Sequence, residues 1–239
     1  MPAARRRQTQ IMLTCGAAGA PLFVITFLIE GAARSGYNAE RHTVSTLSLG
    51  AGGWIQIVNF VLTGILMTLF AAGLRRVLHP GPGSAWGPAL VTAYGAGLVL
   101  AGVFVTDPDP EPGQIIHHTW HGIVHDLASL PVFLGLSVAC LVIARRFLWC
   151  RRAGWAAYSL LTAVAIPALF VATGAASPNV TGLIQRITIV TGWAWITILS
   201  IALLARPAII AQRASSRKAH PGPAAPARTT NPANCEGPA

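Results

Sequence analysis

Six runs of apolar residues punctuate the chain, each about the 20 residues needed to cross the hydrocarbon core of a bilayer. They cover 11–31, 54–74, 86–106, 121–144, 153–173 and 185–205. The runs are apolar all round rather than along one stripe, as helices are when lipid is their solvent. A spanning segment must satisfy its own backbone, by forming a helix or by closing a barrel, and no alternating barrel pattern is present. The pattern predicts an all-α integral membrane protein, a bundle of six transmembrane helices. The transmembrane domain is expected at 11–205, after a basic N-terminal segment at 1–10. The first run is too long for a signal-peptide core and is read as an uncleaved span. The tail at 206–239 is Pro, Ala, Ser and basic residues without apolar periodicity, and reads as disordered.

Charge orients the bundle. Only 10% of the residues are charged and mean hydropathy is +0.57, against about 25% charged in soluble domains. The net charge of +10 raises nucleic-acid binding, but the cations sit in short clusters at span ends and form no basic face. One side receives Arg5–Arg7, Arg75, Arg76, Arg145, Arg146, Arg151, Arg152, Arg206, Arg213, Arg217, Lys218 and Arg228. The other receives only Arg34, Arg41 and Arg186. The positive-inside rule then places both termini in the cytoplasm. The Ala, Gly, Pro and Arg bias suits a bacterial chain, hence a multi-pass protein of the bacterial cytoplasmic membrane. None of the four cysteines falls in an outer loop, so no disulfide framework is implied.

Helix packing leaves its own marks. Ala93, Gly97 and Ala101 recur every four residues as a ridge for close helix approach. Pro131 and Pro167 are expected to bend their spans. Trp54, Trp86, Trp120 and Trp155 stand at span ends, where interfacial anchors belong.

Candidate chemistry gathers on the outer face, around the stretch 107–126, which holds four of the seven acids and four of the seven histidines. His117, His121 and His125 are spaced i, i+4, i+8, with His118 three before His121, so their rings share a helix face. His118, His121 and His125 with Asp126 are the candidate ligands of a divalent metal such as zinc. Asp126, Glu30 or Asp107 would serve as base. A metal-free polar site and a solvated polar lip are the competing readings of the same residues. Glu30 ends the first span and Arg186 begins the sixth; neither is cheap to expose to acyl chains, and they are expected to form an ion pair. The first outer loop contributes Arg41, His42 and Ser45, and no GxSxG marks Ser45 as a nucleophile.

At these residues the chain resembles a family of six-span bacterial and archaeal membrane proteins catalogued as domain of unknown function 998. The resemblance rests on PLF followed by Glu30, on GYNAERHTVSTLSLG with GGWIQIVNF, and on Asp107–Pro108. His121, Gly122 and His125, and GLIQR at Gly182–Arg186, complete it. It covers 11–205 and implies architecture rather than an activity.

Three functions fit the sequence. The favoured one is a non-catalytic membrane sensor or assembly partner, given the small size and few deep polar groups. The second is a metal-dependent membrane-embedded hydrolase or transferase acting on a lipid or envelope substrate. The third is a small-solute or proton-coupled transporter, which usually needs ionisable groups near the midplane that these spans lack. The bilayer is the one assured partner.

Overall fold

A computed structural model provides the fold and describes residues 3–109 and 118–206. Every expected span forms: six helices are long and apolar enough to cross a membrane, and the described residues contain no strand. They are α1 (Ala3–Ala33), α2 (Trp54–Leu78), α3 (Trp86–Val103), a fourth span built from α4 (Trp120–Leu130) and α5 (Leu136–Trp149), α6 (Ala153–Ala175) and α7 (Thr181–Ala205). The protein is a multi-pass helical membrane protein. Arg5–Arg7 lie in the first turns of α1, which begins eight residues ahead of the expected span. The tail from 207 onward lies outside the described residues, as do His117 and Glu111.

Helix order follows chain order around a ring: α2 packs on α1 and α3, α5 on α3 and α6, and α7 on α6 and back on α1. Small residues set the closest approaches. A Cβ added at Gly64 would stand 2.5 Å from the Gly95 carbonyl oxygen, and one at Gly95 would stand 2.6 Å from that of Gly64. Gly97 meets the fourth span, where its Cβ would lie 2.7 Å from the Ala128 carbonyl. Of the expected ridge, Gly97 and Ala101 face inward and Ala93 is exposed. Spacing by four drifts around a helix of 3.6 residues per turn, so a third member need not stay in one seam.

Pro131 does more than bend its span. It opens a π-helical turn, Pro131–Gly135, between α4 and α5. A proline inside a helix removes an N–H and crowds the preceding turn, and a widened turn accommodates both. Pro167 lies within α6, which continues through it.

Large apolar side chains such as Ile11, Ile25, Leu161 and Val171 cover the outside, where lipid takes the place of water. Trp54, Trp86 and Trp120 are exposed at helix starts, as anchors would be. Inside, Phe23 stacks at 5.3 Å from Phe60 and 5.2 Å from Trp193, which in turn meets Tyr94 at 5.3 Å. Gln56, Asn59 and Thr63 are buried on α2, and Asn59 donates to Gln56 Oε1 and to the Phe23 carbonyl at 3.1 and 3.2 Å. These uncharged groups glue α2 to α1. At the end holding the first turns of α1, Arg76 donates to Gln8 at 2.9 Å, and buried Arg146 donates to the Pro80 carbonyl at 3.0 Å.

Candidate functional site

The opposite end is capped by the loop between α1 and α2, which includes a short 3-10 helix, Ser45–Ser48. The start of α7 holds this loop. The N–H groups of Gly182 and Leu183, unpaired at any helix start, donate to the carbonyls of Arg41 and Glu40 at 3.2 and 2.9 Å. Gln185 Oε1 accepts the Val44 N–H at 2.7 Å. Arg186 is buried and donates to the carbonyls of Ala39, His42 and Gly182 and to the Tyr37 hydroxyl. From the segment after α3, the Asp109 carboxylate accepts the Thr43 N–H at 2.7 Å and its hydroxyl at 3.1 Å. Tyr37 donates to the Thr43 carbonyl at 2.9 Å. Burial raises the Tyr37 phenol above its ordinary range, with the Arg186 guanidinium opposing, so the hydroxyl keeps its proton.

The expected Glu30–Arg186 pair is not formed. Glu30 pairs instead with Arg34, one turn on along α1, at 2.7 Å. Backbone carbonyls, abundant where a loop folds over a helix end, occupy Arg186 in its place.

The histidine-bearing helix α4 is fixed by its N-terminus. Thr119 caps it, accepting the Gly122 N–H at 3.1 Å. Asp107 accepts the Thr119 N–H at 2.9 Å and its hydroxyl at 2.6 Å. Those two bonds lower the Asp107 pKa below the usual carboxylate range, aided by the nearby histidines. Asp107 is a structural anchor for the cap. His121 and His125 do share a helix face, and each sends Nδ1 to carbonyls at or just beyond the end of α3. His121 Nδ1 lies 2.9 Å from the Val105 carbonyl. His125 Nδ1 lies 2.9 Å from those of both Ala101 and Phe104.

The metal set does not come together. His118 and Asp126 are exposed while His125 is buried, because neighbouring residues on a helix point about 100° apart. Among the described residues no three His, Cys, Asp or Glu side chains are grouped to hold a metal. Arg41 and His42 border a separate shallow cavity with Asp109, and His42 Nδ1 accepts the Asn38 N–H at 3.1 Å.

What the fold does bring together is Ser45 and His125, eighty residues apart. His125 is 2% exposed, and its Nε2 lies 3.0 Å from Ser45 Oγ. Carbonyl oxygens only accept, so the two at Nδ1 require that nitrogen to carry the proton. Nε2 is then the basic nitrogen, and Ser45 Oγ donates to it. The pair borders a cavity of about 40 Å³, lined by Phe23, Phe60, Leu98, Trp193 and Gln185 among others. Nothing in the sequence marks this pair, since the fold alone sets its proximity. Ser45 shares its turn with Thr46 and Ser48, so its polarity does not single it out either.

No curated protein and no solved structure matches the chain. A family profile does match, over residues 17–202, and spans the whole bundle from α1 to α7. The chain belongs to the family described as "Protein of unknown function (DUF998)".

Proposed function

We propose that the protein is a membrane-embedded serine acyl hydrolase or acyltransferase acting on an ester of an apolar, lipid-like substrate. The observation that carries this reading is Ser45 Oγ hydrogen-bonded to a buried histidine whose other nitrogen is locked on two carbonyls. That arrangement sets the tautomer a general base needs before substrate arrives. Ser45 Oγ would attack the ester carbonyl carbon while its proton passes to His125 Nε2. The tetrahedral intermediate would then expel the alcohol, protonated by His125, leaving an acyl-Ser45 ester. Water, or an acceptor alcohol, activated by His125 would release the acyl group and restore the serine. Gln185 stands at the same cavity, and with Oε1 held by Val44 its NH₂ is the donor end suited to an oxyanion.

Two features set limits on the chemistry. Among the described residues no carboxylate orients His125, so its imidazolium gains less stabilisation than in a Ser-His-Asp triad. The cavity has room for a water or two, so an acyl chain enters only after the wall opens. Val132 and Phe133 in the π turn belong to that wall, and π turns recur at functional sites as points of local freedom. With both termini cytoplasmic in a bacterial membrane, Ser45 would face the extracytoplasmic side. The non-catalytic sensor reading treats the same hydrogen bond as a loop lock, and a serine probe separates the two.

A fluorophosphonate probe applied to the protein in nanodiscs should label Ser45. Labelling should vanish in Ser45→Ala and slow by about 10²-fold or more in His125→Gln, the usual worth of a general base. Unlabelled wild-type protein, or labelling that survives in folded Ser45→Ala, would sink the reading and leave the sensor or assembly role standing.

A further inference from the structure

Away from Ser45, the structure holds a second site whose chemistry is incomplete. Glu30 is buried, yet only one of its carboxylate oxygens is used. Oε1 accepts from Arg34 Nη2 at 2.7 Å, while Oε2 is buried with no hydrogen-bond partner among the described residues. An unsatisfied carboxylate oxygen in an apolar surround is costly and calls for a donor. Glu30 and Arg34 line a cavity of about 530 Å³ between α1 and α2, walled by Thr26, Ile29, Ala33, Gly52 and Ile55. That size falls within the range of small-molecule sites.

Three observations identify the missing donor. The unpaired oxygen belongs to an anion, so it favours a cation with N–H groups to give. The guanidinium beside it is partly exposed, with 20% of the Arg34 side chain accessible, and offers a positive counterpart to an anion. The apolar wall continues to the lipid-facing surface, where Ile29 is 65% exposed, and Trp54 at the head of α2 marks the interfacial depth. A ligand that is cationic at one point, anionic a few ångströms away and apolar beyond matches this sequence of surfaces.

We infer that the Glu30–Arg34 cavity binds the zwitterionic headgroup of an amine-bearing phospholipid. On binding, Glu30 turns Oε2 to the cavity wall, where the primary ammonium donates to it; the phosphate lies against the Arg34 guanidinium, and the acyl chains follow the α1–α2 groove past Ile29. A primary ammonium has three N–H donors, whereas a trimethylated one has none, and a glycerol headgroup brings no positive charge. The site therefore selects phosphatidylethanolamine over phosphatidylcholine and phosphatidylglycerol. Arg34 also donates to the Leu49 carbonyl at 2.9 Å, so a bound headgroup would brace the loop that carries Ser45. The inference stands apart from the hydrolase reading, because no atom of the Ser45–His125 pair takes part.

Native mass spectrometry of the full chain, with equal amounts of the three lipids in detergent, tests it. Phosphatidylethanolamine should be retained about tenfold over each of the others, the factor expected of one charge-assisted hydrogen bond. Glu30→Gln should erase that preference. Because Glu30→Gln also weakens the pair with Arg34, Ile29→Trp provides a second variant: it narrows the cavity from the lipid side without touching the ion pair, and it too should lose the preference. Adding free phosphoethanolamine distinguishes the sources. Displacement of the lipid by it and not by free phosphocholine supports the ammonium site, and equal displacement by the two overturns it. Equal retention of all three lipids by the wild type, or a preference intact in both variants, overturns the inference.

Discussion

Removing the Arg186 guanidinium would leave the carbonyls of Ala39, His42 and Gly182 and the Tyr37 hydroxyl short of a donor at a buried helix start. A buried acceptor left unpaired costs about 1–3 kcal/mol, so Arg186→Ala should lower stability in detergent by about 3 kcal/mol. Arg186→Lys should recover only part, because one ammonium cannot reach the fan of acceptors that a planar fork spans. Glu30 belongs to a different cluster, bonded to Arg34. The losses in Glu30→Ala and Arg186→Ala should therefore add within about 0.5 kcal/mol in the double variant; a large coupling in a thermal-melt cycle would show that the two residues do meet. Asp107 offers a pH test. Its folded pKa lies below the ordinary value because Thr119 donates to it twice. A lowered carboxylate contributes stability that is present above its unfolded pKa and lost as pH falls through the folded value. Melting temperature should accordingly fall on acidification below about pH 4, and Asp107→Asn should flatten that limb of the profile.

Glycine at position 97 couples helix packing to the proposed chemistry. Its Cβ would lie 2.7 Å from the Ala128 carbonyl and 3.1 Å from Pro131, so any side chain there pushes the fourth span away from α3. The bonds from His125 to Ala101 and Phe104 bridge that same interface. Gly97→Val should cost about 1–3 kcal/mol by overpacking and slow probe labelling of Ser45, although it touches neither Ser45 nor His125. Labelling at the wild-type rate in a destabilised Gly97→Val would separate the packing from the dyad. The elements themselves were legible: twenty apolar residues between breaks make a span whichever way it faces. Which face turns inward was not, because lipid and core are equally apolar and hydrophobicity cannot rank them. Polar and small residues carry that information, and here they misled more often than they informed: Glu30 meets Arg34 rather than Arg186, and Ala93 faces outward. Asp126 was grouped with His125 although adjacent positions cannot share a face, whereas His121 and His125, one turn apart, do. GLIQR reads as a motif without meaning until the loop is seen. Gly182 admits the backbone of Ala39 and His42, Gln185 holds Val44, and Arg186 satisfies the carbonyls.

At the scale of the molecule, the two ends of the bundle differ in kind. One end carries the first turns of α1, the α2–α3 connection and the end of α5, tied by Arg76 to Gln8 and by Arg146 to Pro80. The other carries the capped loop, the Ser45–His125 pair and the Glu30–Arg34 cavity. These cross-ties make the ends rigid units, so fixing one connection on one side of the membrane fixes the rest of its end. Of the 13 Lys and Arg among the described residues, ten fall to the end that holds the first turns of α1, and positively charged short loops are retained in the cytoplasm. Reporter fusions after Arg75, Arg151 and Arg213 should therefore behave as cytoplasmic, and those near Glu111 and Asn179 as external. An external signal at Arg151 would contradict either the orientation or the helix order that puts it at the same end as the start of α1. The orientation also decides which compartment supplies the substrate. With the termini inside, a membrane-impermeant fluorophosphonate added to intact cells should reach Ser45 as readily as a permeant one. With the bundle inverted, only the permeant probe would label, and the substrate would have to come from the cytoplasmic leaflet.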